Sequence, residues 1–345
     1  MRLPREPMTA HTPLNTRRRQ VLIRAAALAA LAAPFGSTVL AQARPPAKVA
    51  KLAGTLRIVI PANAGGGWDQ TGRALGTALV GAGAVDQVEY ENVGGKGGTI
   101  GLARYAEKYA NDPNTLLMGG MVMVGAVALQ KPAVDLTQIQ PIARLTSDYL
   151  VAAVPASSPI RTAKDLVAAM KADLPALPVA GGSAGGVDHI YAGVLARAAK
   201  ASPEALVYRP FAGGNEVVDA LVTGKAALGL SGYSEFSEAI AAGKLRAIGV
   251  SARRSVFGLP AFREQGIDAV MANWRGVFTG KGVSAARLAE MVTAVEAATV
   301  HESWVRTLKT NKWDASWLTG KDLTEFMELD LTTARVMVYL LKLKA

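Results

Sequence analysis

The chain has 345 residues, half of them apolar and 19% charged, and is therefore long enough to bury one large core or two of ordinary size. Its formal net charge is +11 at pH 7, of which residues 1–43 contribute +5. The remaining charged residues are scattered and do not form the stripe of basic and aromatic residues that predicts a nucleic-acid partner. The absence of cysteine excludes disulfides, thiolate zinc ligands and thiol catalysis.

Residues 1–43 have the three parts of an export signal. Three consecutive arginines at 17–19 lead into apolar sequence, and residues 25–33 consist only of Ala and Leu. The stretch closes at Ala41–Ala43 with the small residues that signal peptidase requires. The paired arginines are typical of a twin-arginine signal. The apolar run is interrupted by Pro34 and is too short to span a bilayer, so we expect cleavage near Ala43 and a mature protein in the periplasm.

From residue 56 onward, short apolar runs alternate with longer amphipathic ones. The first group predicts strands at 56–60, 88–93 and 115–118 and helices at 70–80, 100–109 and 122–130. The second group predicts strands at 149–154, 177–180, 206–208, 226–230 and 245–250 and helices at 163–170, 190–199, 215–222 and 235–242. Residues 285–345 are expected to be mostly helical. This alternation predicts an α/β fold with mostly parallel sheets flanked by helices.

Two such groups within about 300 residues predict two lobes. We expect residues 44–150 and 251–345 to form lobe 1, and residues 151–250 to form lobe 2. Because no Pro/Ser-rich linker separates the groups, extended strands should cross between the lobes. The best candidates for these crossings are Tyr149–Val154 and Leu245–Val250.

Four glycine-rich turns each follow a predicted strand and precede a predicted helix. They lie at residues 61–69, 92–99, 181–189 and 210–215. Each exposes backbone N–H groups at a helix N-terminus, where the helix dipole favours an anion. In open α/β sheets, ligands bind beyond the carboxyl ends of the strands. A single turn of this kind is better explained as a tight connection, but four of them in both halves of the chain predict an anion-binding cleft.

One turn also matches a catalytic motif. Residues 181–185 fit the G-x-S-x-G nucleophile elbow of hydrolases, with Ser183 as the nucleophile. His189 is poorly placed as its base, because it lies on the helix that follows, and the surroundings of His301 do not resemble a catalytic loop. A serine hydrolase using Ser183 is therefore the alternative to a binding protein.

Other enzyme and cofactor patterns are incomplete. The turn at 94–99 lacks the Gly-Lys-Ser/Thr of a P-loop, and the turn at 65–67 lacks the dinucleotide-binding spacing. No close-spaced acidic cluster accompanies the two histidines of the mature chain. We therefore expect a protein that is not an enzyme and has neither a metal nor a cofactor.

A series of short motifs runs from about Leu56 to the C-terminus. The motifs are Ala64–Asp69, Glu91–Gly101, Gly182–His189, Tyr208–Gly214, Gly232–Glu235, Ala242–Arg246 and Asn273–Gly276. In their order and spacing the chain resembles the substrate-binding receptors of tripartite tricarboxylate transporters, the TctC or Bug family.

The resemblance implies a two-lobed periplasmic binding protein fold, similar to type II, that closes on its ligand. It implies a receptor that captures a small di- or tricarboxylate and delivers it to a two-subunit, ion-driven membrane permease. Family members hold carboxylates mainly through backbone N–H groups and ordered waters from one turn in each lobe. We expect a monomer, and the alternative role is that of a carboxylate sensor for a signalling partner.

Carried onto this sequence, the resemblance and the glycine-rich turns together nominate a set of ligand-binding residues. They are Ala64, Gly65, Gly66, Gly67, Trp68, Asp69, Gly182, Ser183, Ala184, Gly185, Gly186, Asp188, Gly213 and Arg275. Trp68 is expected to be a lid or wall and the Ser183 hydroxyl a donor. Asp69 and Asp188 are also candidate helix caps. Arg275 is expected either to bind a ligand carboxylate or to form a surface ion pair.

Overall fold

The computed structural model describes residues 51–344, and the predicted signal at 1–43 lies outside these residues. The strands are β1 (Ala53–Ile60), β2 (Val85–Asn92), β3 (Thr115–Gly120), β4 (Ile139–Pro155), β5 (Val179–Gly181), β6 (Tyr208–Pro210), β7 (Leu228–Gly232), β8 (Leu245–Val250), β9 (Ala272–Gly280) and β10 (Asp314–Thr319). The α-helices are α1 (Gly67–Gly81), α2 (Thr99–Tyr109), α3 (Met121–Gln130), α4 (Ala163–Ala172), α5 (Val187–Ala198), α6 (Gly214–Val222), α7 (Tyr233–Ala241), α8 (Ala285–Val300), α9 (Glu302–Asn311) and α10 (Gly320–Leu340).

The long strand β4 belongs to two half-sheets. Up to Tyr149 it pairs antiparallel with β9, and it also pairs with β10, which gives a first half-sheet in the order β2-β1-β3-β9-β4. From Leu150 onward it pairs antiparallel with β7 and β8, and the second half-sheet continues from β7 to β5 and β6. Parallel pairing joins β1 to β2 and β3, and β5 to β6 and β7. The strands next to the crossover are therefore antiparallel, and the outer strands have the predicted parallel arrangement.

The two crossings between the half-sheets differ from each other. The predicted crossing at Tyr149–Val154 lies within β4. The second crossing was predicted at Leu245–Val250, but these residues form β8, which pairs only with β4 in the second half-sheet. The chain instead returns through residues 251–271 and enters the first half-sheet as β9. The prediction failed because an apolar run indicates a buried strand but not its neighbours. The lobe boundaries at 150 and 250 remain a prediction.

Strands β9 and β10 have no clear sequence signal. In β9 every residue after Ala272 is buried, and its sequence contains Asn, Arg, Thr and two Gly, so it does not alternate. Strand β10 interrupts the expected helical C-terminal region and pairs with β4. Across residues 51–344, none of the helices combines the length and apolar character that crossing a bilayer requires.

Helix α1 shows how packing positions the N-terminus of a helix. Its buried residues Thr71, Leu75, Ala78 and Leu79 recur at helical spacing, and the three apolar ones join the core under β1. Gly72 lets the helix approach the sheet closely, because a Cβ there would lie 3.0 Å from Ile60 Cδ1. The start of α1 is thereby held at the carboxyl end of β1.

Candidate functional site

A cavity of about 110 Å³ lies between turns that follow strands of both half-sheets. From the first half-sheet come residues of the turns after β1 and β2, and from the second come residues of the turns after β5, β6 and β7. A single water requires roughly 10–15 Å³ of such cavity volume, so the space is sufficient for several waters or one small organic molecule.

Gly98, the N-cap of α2, lines this cavity, and four further α-helices begin at it: α1, α5, α6 and α7. Their N-cap residues are Gly66, Gly186, Gly213 and Gly232, and each N-cap lies on the cavity or next to a residue that does. A glycine N-cap has no side-chain oxygen to accept the amide hydrogens of the first turn. The positive ends of four helix dipoles therefore point to one small space.

Several amides at these helix starts have no hydrogen-bond acceptor within residues 51–344. They belong to Gly67 and Trp68 of α1, Val187 of α5, and Gly213 before α6. All four of these residues line the cavity. Buried N–H groups are nearly always paired in folded proteins, so this set is suited to an oxygen-rich anionic ligand.

Acidic side chains in the first helical turns accept hydrogen bonds from backbone amides at the helix starts. Asp69 accepts from Gly65 N at 2.9 Å, and Asp188 Oδ2 accepts from Gly182 N at 2.8 Å. Glu235 accepts from Gly232 N at 3.2 Å and from Gly214 N at 3.3 Å. These carboxylates fix the turns and leave the next amides to the cavity.

Asp69 does not reach the cavity. Its carboxylate also accepts from Arg73 Nε at 3.0 Å and from Asn92 Nδ2 at 2.9 Å. Burial acts to raise the pKa of Asp69, but the bonds from Arg73, Gly65 and Asn92 outweigh it and hold this pKa below its ordinary value. Of the two roles expected for Asp69, the structure shows that of a turn-closing residue.

Arg275 on β9 is buried beside the cavity. Its Nη2 lies 2.5 Å from Asp148 Oδ2, and its Nη1 donates to Thr71 Oγ1 at 3.2 Å. The guanidinium also lies over the Trp313 ring at 4.6 Å. Both charged side chains are only 3% exposed, so the expectation of a surface ion pair was wrong, and the pair is an internal one.

Two buried acidic side chains near Arg275, Asp148 and Asp188, have raised pKa values. Burial raises the pKa of Asp148 to about 6 although Arg275 opposes this. Burial also raises the pKa of Asp188 to about 7, against its bond from Gly182, and the charges of Glu235 and Asp148 add to the increase. Asp188 therefore exchanges its proton near neutral pH.

Neither histidine of the described chain is placed to activate Ser183. His189 Nδ1 accepts from Gly185 N at 3.1 Å, its ring stacks on Tyr208 at 4.1 Å, and burial lowers its pKa to about 4. His301 lies against Gly81 at the far end of α1. With a rise of about 1.5 Å per residue, this is roughly 21 Å along the helix from Gly67. Neither histidine therefore serves as a base for Ser183.

The structure brings eight of the nominated residues to the cavity: Gly66, Gly67, Trp68, Gly182, Ser183, Asp188, Gly213 and Arg275. The others, namely Ala64, Gly65, Asp69, Ala184, Gly185 and Gly186, lie in the same turns but do not line it. The cavity is also lined by residues that were not among those predicted, including Glu235, Asn273, Leu150 and Val122. Glu235 had a usable signal, because an acidic residue three positions after Gly232 fits a capping box.

The fold and the site together define a class of protein. A curled α/β sheet in two lobes, with helix N-termini from both sides converging on one cleft, is the architecture of periplasmic solute-binding proteins. Residues 84–341 match the family model described as the tripartite tricarboxylate transporter family receptor, TctC, and the chain belongs to this family.

Solved structures share the fold at low sequence identity. The periplasmic binding protein BugD is 19% identical with a TM-score of 0.76, covering 84% of this chain and 98% of that one. MatC from Rhodopseudomonas palustris, solved with malate, is 23% identical with a TM-score of 0.72, covering 82% and 98%. Rpa4515 from R. palustris, solved with adipate, is 17% identical with a TM-score of 0.76, covering 84% and 98%. No curated protein sequence matches the chain.

Proposed function

We propose that the mature chain is an extracytoplasmic receptor that captures a small di- or tricarboxylate and delivers it to a membrane transporter of the tripartite type. The observation that carries this proposal is the convergence of four glycine-capped helix N-termini on one cavity, with amides that lack an acceptor among residues 51–344. No bond needs to be made or broken in such a site. Family membership and the malate and adipate present in solved structures of the same fold support the same ligand class.

The transporter partner follows from the family and not from a contact surface. We propose a two-subunit permease as the recipient of the ligand and a monomeric receptor in the periplasm, released from its signal near Ala43. N-terminal sequencing of the exported protein tests the cleavage site, and loss of carboxylate uptake on deletion of the permease subunits tests the partnership.

A thermal-shift screen of the mature protein tests ligand capture. Succinate, malate, citrate and adipate are compared with their uncharged dimethyl or trimethyl esters. Micromolar binding corresponds to about −8 kcal/mol. A ligand at 100 times its Kd then stabilises the folded state by about 2.7 kcal/mol. Failure of every acid to shift the melting temperature of a folded sample would contradict the proposal.

A substitution at Val187 tests the role of the backbone amide. Val187 is the first residue of α5, where proline is tolerated, and its N–H has no acceptor within residues 51–344. Gly186 before it has φ −66° and ψ 176°, which a following proline permits. Val187→Pro should weaken carboxylate binding about 10- to 100-fold, since a hydrogen bond to a charged group contributes about 1.5–3 kcal/mol.

Val187→Ala is the matched control. It removes the side chain but keeps the N–H, so it should retain more affinity than the proline variant. Equal affinities of the two variants would show that this amide does not contact the ligand.

A further inference from the structure

A second cavity, of about 500 Å³, adjoins the first and shares Gly95, Ser183 and Ala212 with it. We call it the vestibule, and its remaining lining consists of Lys96, Gln130, Ala184, Pro210 and Phe211. Lys96, Pro210 and Ala212 are exposed to solvent. The vestibule is therefore the outer part of one continuous cleft.

Most side chains of the vestibule are apolar. Phe211 and Pro210 form a wall on the side of the second half-sheet, next to Ala184 and Ala212. Phe211 packs partly against the neighbouring core and leaves the rest of its ring accessible. Such a wall is suited to methylene or aromatic groups, since each buried CH₂ contributes about 0.8 kcal/mol.

The opposite side of the vestibule is fixed by Gln130. Its Nε2 donates to the carbonyl oxygens of Lys96 at 3.1 Å and Ala184 at 3.2 Å, which links the turns on the two sides of the cleft. The Lys96 carbonyl also accepts from Thr99 Oγ1 at 3.0 Å. Lys96 has a left-handed backbone with φ 49°, so these bonds hold an unusual turn in place.

Lys96 supplies a positive charge at the outer end of the cleft. No carboxylate within residues 51–344 forms an ion pair with its ammonium group. At the inner end the positive charge of Arg275 is already paired with Asp148. Asp188 and Glu235 add acidic groups to the lining there. The inner amides are therefore suited to one carboxylate, and a second carboxylate is better accommodated at Lys96.

We infer that the vestibule is a second ligand subsite that selects an elongated dicarboxylate. One carboxylate lies at the inner helix N-termini, the carbon chain packs on Phe211 and Pro210, and the distal carboxylate pairs with Lys96. This inference rests on the proposed function, because it requires the first carboxylate to occupy the inner cavity.

Titration calorimetry of the mature protein with a matched set of acids tests the inference. The diacids are succinate, adipate and suberate, and the monoacids of the same lengths are butyrate, hexanoate and octanoate. Adipate and suberate should bind more tightly than succinate and more tightly than their matching monoacids. Lys96→Asn should weaken the long diacids about fivefold, as expected for an exposed ion pair, and leave succinate and the monoacids unchanged. Asparagine tolerates the left-handed conformation, so the turn is preserved.

Two further variants complete the design. Phe211→Ala should weaken long diacids and long monoacids alike, because it removes the apolar wall. Lys200→Asn is the matched control, since Lys200 also has a left-handed φ, 59°, and lines neither cavity. It should change no affinity.

The results separate the inference from the proposed function. If diacids bind but chain length and Lys96→Asn have no effect, the second subsite is refuted and the carboxylate receptor stands. If long monoacids bind as tightly as long diacids, the distal carboxylate has no partner and the inference is refuted. If no acid of either series binds to folded protein, the proposed function itself fails.

Discussion

Replacing Arg275 with methionine removes one partner of the buried ion pair and leaves the Asp148 carboxylate in the interior. Both side chains are 3% exposed, and Asp148 Oδ1 has no hydrogen-bond partner within residues 51–344. Removing one member of such a pair costs about 3–5 kcal/mol. For a chain of this size, at about 2 °C per kcal/mol, the melting temperature should fall by roughly 6–10 °C.

The dependence of this loss on pH identifies its cause. Without Arg275 the folded-state pKa of Asp148 rises above its present value of about 6. A carboxyl group whose folded pKa is raised contributes stability below its unfolded pKa, and that stability is lost as the pH rises through the folded pKa. The variant should therefore be closer to the wild type at about pH 5 than at about pH 8.

Calorimetric melting and urea unfolding at both pH values measure the effect. The control is the double variant Arg275→Met with Asp148→Leu, which removes both charges and should recover part of the loss. A cost below about 1 kcal/mol for Arg275→Met, or a double variant less stable than either single one, would refute the assignment of a buried ion pair.

Three further predictions follow from other contacts. Asp188 has a pKa of about 7, and an anion bound beside it should favour its protonated form, so carboxylate affinity should increase as the pH falls through 7. Asp188→Asn should flatten this pH dependence. Calorimetry in buffers of different ionisation enthalpy measures the proton uptake, and a flat wild-type profile would contradict the prediction. Gly125→Ala should destabilise the fold by about 1–3 kcal/mol, because its Cβ would collide with the Gly185 carbonyl oxygen. Gly54→Ala is the control and should be nearly neutral, because its Cβ would meet only Asp86 at 3.6 Å. Urea unfolding measures both variants. Ser183→Ala should weaken carboxylate affinity by no more than about 10- to 100-fold, the contribution of one hydrogen bond to a charged group, and should abolish no esterase activity. Ester turnover lost through this change would restore the hydrolase hypothesis.

Much of the site was predicted from the sequence, because each part of it is local. A strand, a glycine-rich turn and a helix occupy adjacent positions in the chain, and the first turn residues Gly66, Gly67 and Trp68 illustrate this. The same is true of Gly182 and Ser183 before α5. Helix periodicity and glycine placement depend on neighbours within a few residues, so the pattern alone located these amides.

Tertiary structure decided which distant residues meet. Arg275 lies 127 positions from Asp148 in the chain, and nothing local indicated that β9 and β4 would be paired in the register that joins them. Glu235 reaches Gly214 across 21 positions only because α6 and α7 begin side by side. Strand register and helix packing are determined by the whole core, so the sequence determined the turns, and the fold determined the charges that surround the cavity.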